Sequence, residues 1–349
     1  MRILHVNFSS RIAGAERYCV DLANRQAAGG HDVHVAGSPD SPVAEALKNG
    51  ARFHPSGFRF FRNIFLRRLL RQISPDICHG HLSPACKVLA EMPDETTKVA
   101  TLHVGYKPHQ HARLDGLICV NAAQAKGLGG YSGIARTIPN WLPQSPSVVS
   151  PQSVRNELGL AADTFLVGAV GRLHASKGMD VLISAFRNFA PTNAALAIVG
   201  EGPQFRQLKR LAAQDRRVHF LGYRKNVDDC LRDFDLFVSP SREESFGLAI
   251  LEAMNARVPI IATMVEGPME YLIDQPIELV PAGSIHALTD ALVEAHRLFR
   301  ANELPRIDYN LHQFAPATGV ASVARFYSQV IEAKRWKGTT ATRHKAPAS

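Results

Sequence analysis

The strongest constraint on the fold is a pattern that this chain runs through twice. A short apolar strand leads into a glycine turn, then a helix with apolar residues at helical spacing, then another strand. In the first pass RILHVNF reads as a buried strand, and Gly14 with its small neighbours breaks it. A helix follows with Tyr18, Val20, Leu22, Ala23 and Ala27 in periodic positions, and Gly29-Gly30 ends it. HDVHVAG, DICHGH, KVATLHV and LDGLICVN continue as strands. The segment WLPQSPSVVSPQS interrupts the alternation with three prolines and reads as a linker. The second pass runs TFLVGAVGRL, MDVLISAFRNF, ALAIVG, QFRQLKRLAAQ, VHFLG, a short helix at VDDCLRD, DLFVSPS, GLAILEAMNA and VPIIAT. Each half is therefore expected to be a doubly wound parallel sheet, with ligands bound beyond the carboxyl ends of its strands.

Composition narrows the class further. At 349 residues, 46% apolar and 20% charged, the chain is ordinary globular protein of two domains. No run approaches the ~20 apolar residues of a membrane span, and the N-terminus lacks the pattern of a secretory signal. Five cysteines without a CxxC pair point to reduced thiols in a cytoplasmic protein. The net charge of +9 is uneven: residues 1–150 carry 17 Lys+Arg against 10 Asp+Glu, the remainder 23 against 21. The first half is thus expected to face something negative.

Four loops after strands of the second half carry unusual chemistry. Gly171-Arg172-Leu173-His174-Ala175-Ser176-Lys177-Gly178 sets two cations between glycines, which suits a diphosphate; on spacing alone it reads equally as a solvated surface turn. Gly200-Glu201-Gly202-Pro203 permits close backbone approach but is as consistent with a plain turn. Ser239 to Leu248 runs into an apolar helix, with Ser245 as its expected cap and the N–H groups of Phe246, Gly247 and Leu248 expected to face an anion. Glu244 before that helix and Glu252 inside it are poor phosphate ligands but good acceptors for sugar or ribose hydroxyls. Glu266-Gly267-Pro268 opens another helix after VPIIAT.

With Glu244-x7-Glu252 set in PSREESFGLAILEAMNARVPIIAT, and with GRLHASKG, IVGEGP, VHFLGY and AGAERYCVDLANRQAAGGHDV in order, nearly the whole chain resembles the retaining GT-B glycosyltransferases of family four, the lipopolysaccharide and mannosyl transferases among them. Ala13, Ser245, Arg257 and Trp141 depart from the family's usual glycines. The resemblance implies an α/β fold of two Rossmann-like domains facing each other across a cleft. Residues 1–145 would bind acceptor, 146–153 link, 154–314 bind nucleotide sugar, 315–336 form a helix packing back on the first domain, and 337–349 a polar tail. It also implies a metal-independent hexosyltransferase without cofactor, taking a UDP- or GDP-linked sugar to a saccharide or glycolipid in lipopolysaccharide core or other envelope glycan.

Residue by residue, the resemblance implies that Arg172 and Lys177 hold the diphosphate beside Gly171, that Glu252 binds ribose and that Glu244 binds a sugar hydroxyl. Gly222 and Tyr223 would meet the base and Gly14 the phosphate or acceptor, with His103 near the anomeric centre. His79 and His81, at a strand end like the family's, read as packing or cleft residues; a zinc reading of them with His103 lacks acidic or cysteine partners nearby in sequence. Asp233-Phe234-Asp235 imitates a metal motif but opens a buried strand, and reads as structural. Phe58 to Arg71 interleaves Arg59, Arg62, Arg67, Arg68 and Arg71 with large apolar residues and no acid, as a helix on the anionic inner leaflet would; packing on its own sheet is the plainer alternative. A sugar-nucleotide epimerase on the same fold is a rival, and a basic nucleic-acid-binding protein another, though no nucleic-acid-reading motif is present.

Overall fold

The computed structural model describes residues 1–11, 13–142, 153–213 and 215–343, with side chains to Trp336. It divides into two compact units, Met1–Pro143 with Phe314–Ser349, and Gln144–Gln313. All of the expected linker but Ser153 lies outside the described residues.

Among the described residues the first unit holds β1 (Arg2–Asn7), β2 (Asp32–Gly37), β3 (Arg52–Pro55), β4 (Ile77–His81), β5 (Lys98–Leu102), β6 (Gly116–Cys119) and β7 (Ile134–Thr137), in the order β3-β2-β1-β4-β5-β6-β7. The second holds β8 (Phe165–Val170), β9 (Ala194–Val199), β10 (Val218–Gly222), β11 (Leu236–Ser239), β12 (Ile260–Thr263) and β13 (Glu278–Val280), in the order β10-β9-β8-β11-β12-β13. Every pairing is parallel. The strand order reverses at β1 in the first sheet and at β8 in the second. In such sheets the loops on either side of that reversal form the ligand crevice.

The strands the sequence reading passes over are β3, β7 and β13, each at the edge of its sheet. An edge strand is covered on one side only, so Arg-Phe-His-Pro, Ile-Ala-Arg-Thr and Glu-Leu-Val carry no continuous apolar run. The helix Ile285–Arg300 is also absent from that reading; Ser284 caps it, accepting from Ala287 N–H at 3.2 Å.

The last helix, Pro316–Arg343, belongs to the first unit and runs past the point where a polar tail is expected. Its Val323, Phe326, Tyr327 and Val330 are buried against Ile3, Ile77, Val99 and Ile118. Lys334 locks the same face, donating to Asp115 and to the Thr96 carbonyl, both at 2.7 Å.

Candidate active site

In the second unit the loops after β8 and β11, on either side of the strand reversal, are joined through their backbones. Arg242 and Glu243 both donate their N–H groups to Ser176 O, at 2.8 and 3.1 Å. Gly178, at φ +62°, lies so close to Pro240 that a Cβ there would stand 1.9 Å from its carbonyl oxygen. The Arg242 guanidinium adds a bidentate pair with Asp180, 2.7 Å to each oxygen, which holds that carboxyl below its usual range. The loop after β9 joins from the other side, with Leu173 N–H on Glu201 O at 2.9 Å and Gly171 N–H on Val199 O at 3.0 Å. At the opening of the next helix, a Cβ on Gly267 would fall 2.2 Å from Ser245 O, so only glycine lets that helix pack on the Glu244–Ser245 backbone.

This framework brings Lys177 and Glu244 into an ion pair, the lysine about a quarter and the glutamate about a sixth exposed. Arg172, on the same loop, is exposed, and its guanidinium makes no hydrogen bond or ion pair among the described residues. Glu252 is buried on the helix Leu248–Asn255. That helix is not capped by Ser245: its first flanking residue is Gly247 in a left-handed conformation, φ +87°, without a side-chain cap. The expected outward N–H of Phe246 is also corrected. Phe246 is buried and turns its N–H back to Glu244 Oε1 at 3.4 Å. Ile250 and Leu251 N–H both use Gly247 O, which leaves the N–H groups of Leu248 and Ala249 at the start of the helix without a partner among the described residues.

Sequence reasoning missed Tyr271, whose buried hydroxyl donates to Phe246 O at 2.7 Å and fixes that turn. Burial, with the Glu244 charge, holds its phenol well above the ordinary value. Nothing local in the sequence marks it, because it acts from the following helix. At β10, Gly222 accepts from Gly200 N–H at 2.8 Å, and Tyr223 beside it is exposed. The Asp-Phe-Asp motif is occupied structurally. Asp233 accepts from Val154 N–H at 2.5 Å, and Asp235 accepts from Leu166 N–H at 2.7 Å and pairs with Arg155 at 2.5 Å.

In the first unit the strand ends around β1 and β4 collect histidines. Gly14 opens the helix Gly14–Ala28, where Glu16 accepts from Ala13 N–H at 2.9 Å. After β4, Leu82 sits at φ +69°, a strained conformation for leucine, at the reversal point of this sheet. His5 and His81 are wholly buried and 3.1 Å apart, and His81 reaches His103, half-buried after β5, at 3.3 Å. His79 bonds Tyr327 Oη at 2.6 Å and Thr101 Oγ1 at 2.8 Å. Burial pushes the His5 and His103 imidazoles down to about 4. Among the described residues one group with metal-ligating atoms lies close together, His5, Cys19 and His81, rather than the trio considered from sequence. Both nitrogens of His5 are already engaged, by His81 and Gln26, and burial raises the Cys19 thiol to about 12.

The family model for Glycosyltransferase Family 4 matches residues 12–143, and that for Glycosyl transferases group 1 matches residues 164–297. The chain belongs to the group 1 glycosyltransferases of family four. It is similar to two Rhizobium meliloti proteins. The lipopolysaccharide core biosynthesis glycosyltransferase LpsD is 29% identical over 77% of this chain and 80% of its own. The lipopolysaccharide core biosynthesis mannosyltransferase LpsB is 26% identical over 96% and 95%. The solved structure of Anabaena HepE in complex with UDP-glucose superposes with a TM-score of 0.74 at 20% identity, covering 97% of this chain and all of that one. The two parallel sheets are those of the GT-B fold. The protein is a glycosyltransferase with a nucleotide-sugar donor.

On this glycosyltransferase the basic segment forms a short turn at Arg59–Phe61 and the helix Arg62–Ile73. Leu66, Leu69, Leu70 and Ile73 pack inward, while Phe58, Phe60, Phe61 and Ile64 are exposed, Phe60 at 89%. Arg59, Arg67, Arg68 and Arg71 are exposed too. Arg62 is not a surface contact: it is half-buried over the Phe8 ring at 4.3 Å and donates to Ser38 Oγ at 3.2 Å. Among the described residues no helix is long and apolar enough to cross a membrane.

Gly178→Ala is expected to lower the unfolding free energy by about 3 kcal/mol in a denaturant titration. Gly130→Ala, also at positive φ but with open space around it, is expected to cost about 1 kcal/mol. The histidines make the first unit acid-sensitive. The unfolded chain takes up protons below about 6.5, whereas native His5 resists until about 4, so stability is full above that window and falls as pH drops through it. His5 alone accounts for a loss of about 2 kcal/mol at pH 5, to be read from melting curves of wild type and His5→Phe, the variant showing the shallower pH dependence.

Proposed function

We propose that this enzyme transfers a hexose, with retention of anomeric configuration, from a UDP- or GDP-linked donor to a saccharide or glycolipid acceptor of lipopolysaccharide core or another envelope glycan. The observation that carries the reading is the Lys177–Glu244 pair at the strand reversal of the second sheet, with the Arg172 guanidinium on the same loop unpaired among the described residues. Cleaving a nucleotide sugar at its anomeric carbon develops oxocarbenium character on the sugar and negative charge on the leaving diphosphate. Cations and helix N–H groups already in place stabilise that charge without reorganising. Lys177 and Arg172 supply the cations, and the open N–H groups of Leu248 and Ala249 the helix start. Glu244, which the resting protein pairs with Lys177, accepts a hydroxyl of the donor sugar, and buried Glu252 accepts from the ribose. Metal is not needed for this arrangement, since two side-chain cations meet the charge. The similarity to LpsD and LpsB supports the envelope-glycan setting, and the UDP-glucose bound to HepE supports a nucleotide-diphosphate donor.

The exposed Phe58, Phe60, Phe61 and Ile64, rimmed by arginines, support contact with the anionic inner leaflet, where a lipid-linked acceptor resides. The protein would then work in the cytoplasm, peripherally on that membrane, and without a nucleic-acid partner.

Nucleotide release from a panel of sugar nucleotides, with and without envelope glycolipid extract, tests the reaction; release that is independent of acceptor, with an isomerised sugar nucleotide as product, would count against transfer. Lys177→Ala is expected to lower kcat/KM roughly a hundred-fold, and Glu252→Ala to raise the donor KM; unchanged kinetics would refute those roles. Phe60→Ser/Phe61→Ser is expected to weaken binding to phosphatidylglycerol vesicles in flotation assays more than Arg62→Gln does. Equal binding by all three proteins would rule out membrane contact through this patch.

A further inference from the structure

The first unit contains a line of side chains that neither the sheet nor the donor site requires. It runs from Gln26, near the end of the helix Gly14–Ala28, through His5 on β1 and His81 at the end of β4 to His103 after β5. Gln26 Oε1 lies 2.7 Å from His5 Nε2, His5 Nδ1 lies 3.1 Å from His81 Nε2, and His81 Nδ1 lies 3.3 Å from His103 Nε2. Gln26, His5 and His81 are at most 2% exposed, so bulk water cannot choose their protonation. The Tyr18 ring stands edge-on to His103 with centroids 5.3 Å apart and holds its plane.

A neutral imidazole has one N–H donor and one acceptor nitrogen. Burial keeps these rings neutral at pH 7. In a chain of neutral imidazoles every hydrogen bond must therefore run in the same direction, and whatever terminates the chain decides which. An amide oxygen can only accept. With Gln26 Oε1 on His5, His5 must carry its proton on Nε2, leaving Nδ1 to accept from His81 Nε2–H. His81 Nδ1 then accepts from His103 Nε2–H. His103 is left with a bare lone pair on Nδ1, which makes no hydrogen bond among the described residues. Turning the same amide about would reverse all three bonds and convert that lone pair into a donor. His79 stands outside this logic, because its partners are two hydroxyls, which can each donate or accept.

We infer that Gln26 is a positioning residue: through His5 and His81 its side-chain amide dictates which nitrogen of His103 carries the ring proton, and so presents His103 to a ligand as a hydrogen-bond acceptor for a sugar hydroxyl. The relay stands on the geometry alone. Its use in transfer rests on the reading of His103 as a site residue, and the two are separable by experiment.

The test is long-range proton–nitrogen correlation of the full chain labelled with 15N-histidine at pH 7. Wild-type protein should show His5, His81 and His103 protonated on Nε2, with nitrogen–nitrogen couplings across the His5–His81 and His81–His103 hydrogen bonds. A His103 protonated on Nδ1 overturns the proposal without any variant being needed. Gln26→Met removes the terminal acceptor and should turn the single His103 tautomer into a mixture, whereas Gln26→Glu should keep it; a His103 spectrum unchanged in Gln26→Met also overturns the proposal. In turnover, Gln26→Met should lower kcat roughly ten-fold with donor KM unmoved, as expected when a histidine takes the wrong tautomer, and Gln26→Glu should restore it. If the tautomer responds as described while His103→Ala leaves transfer unaffected, the relay is upheld and the placement of His103 in the site is what fails.

Discussion

The second unit depends on how closely the backbones of neighbouring strand-end loops can approach. Parallel strands deliver all their carboxyl ends to one edge, and β8 and β11 are adjacent there although 65 residues of chain lie between the two strands. Adjacency alone would leave the two loops free of each other. What joins them is a pair of N–H groups on one carbonyl, Ser176 O, and a glycine at 178 that allows contact with Pro240. Gly267 does the same for the next loop along. Long side chains anchored on loops so tightly tied have little freedom left to lose, which is the condition for Lys177 and Glu244 to meet with a defined geometry.

The two units solve the problem of a polar strand-end site in opposite ways. The second builds its site around an ion pair, Lys177 with Glu244, and leaves that pair partly in water. The first removes its polar groups from water and keeps them neutral. Three histidines share hydrogen bonds with one another and an amide, and a fourth bonds two hydroxyls, an arrangement that burial tolerates because no imidazole need carry charge. Low basicity of these rings is a consequence of that enclosure, and their order is the feature that confers direction.

Much of this was legible in the chain. Interior strands are covered on both faces and are largely apolar, so β1, β8, β9 and β12 announce themselves, as do helices that begin after glycine turns. Edge strands β3, β7 and β13 face fewer neighbours and are written in ordinary polar sequence. Within the site, the Glu244-x7-Glu252 spacing and the two cations of the loop at 171–178 were visible, because unusual charges in an apolar setting stand out. The cap at Gly247 rather than Ser245, the inward turn of Phe246 N–H and the burial of Arg62 over Phe8 were not, because each depends on which neighbour reaches the group first.

The sequence by itself therefore determined the alternation of strands and helices, the class of enzyme and the set of charged residues available for a diphosphate. Those follow from local periodicity and from residue types that have few other uses in such positions. Tertiary structure alone decided the pairing of Lys177 with Glu244, the clamp of Tyr271 on the turn it never touches in sequence, and the line from Gln26 to His103. Hydrogen bonds are directional and short in range, so their partners are settled only when residues 20 to 80 positions apart are folded to within about 3 Å of one another.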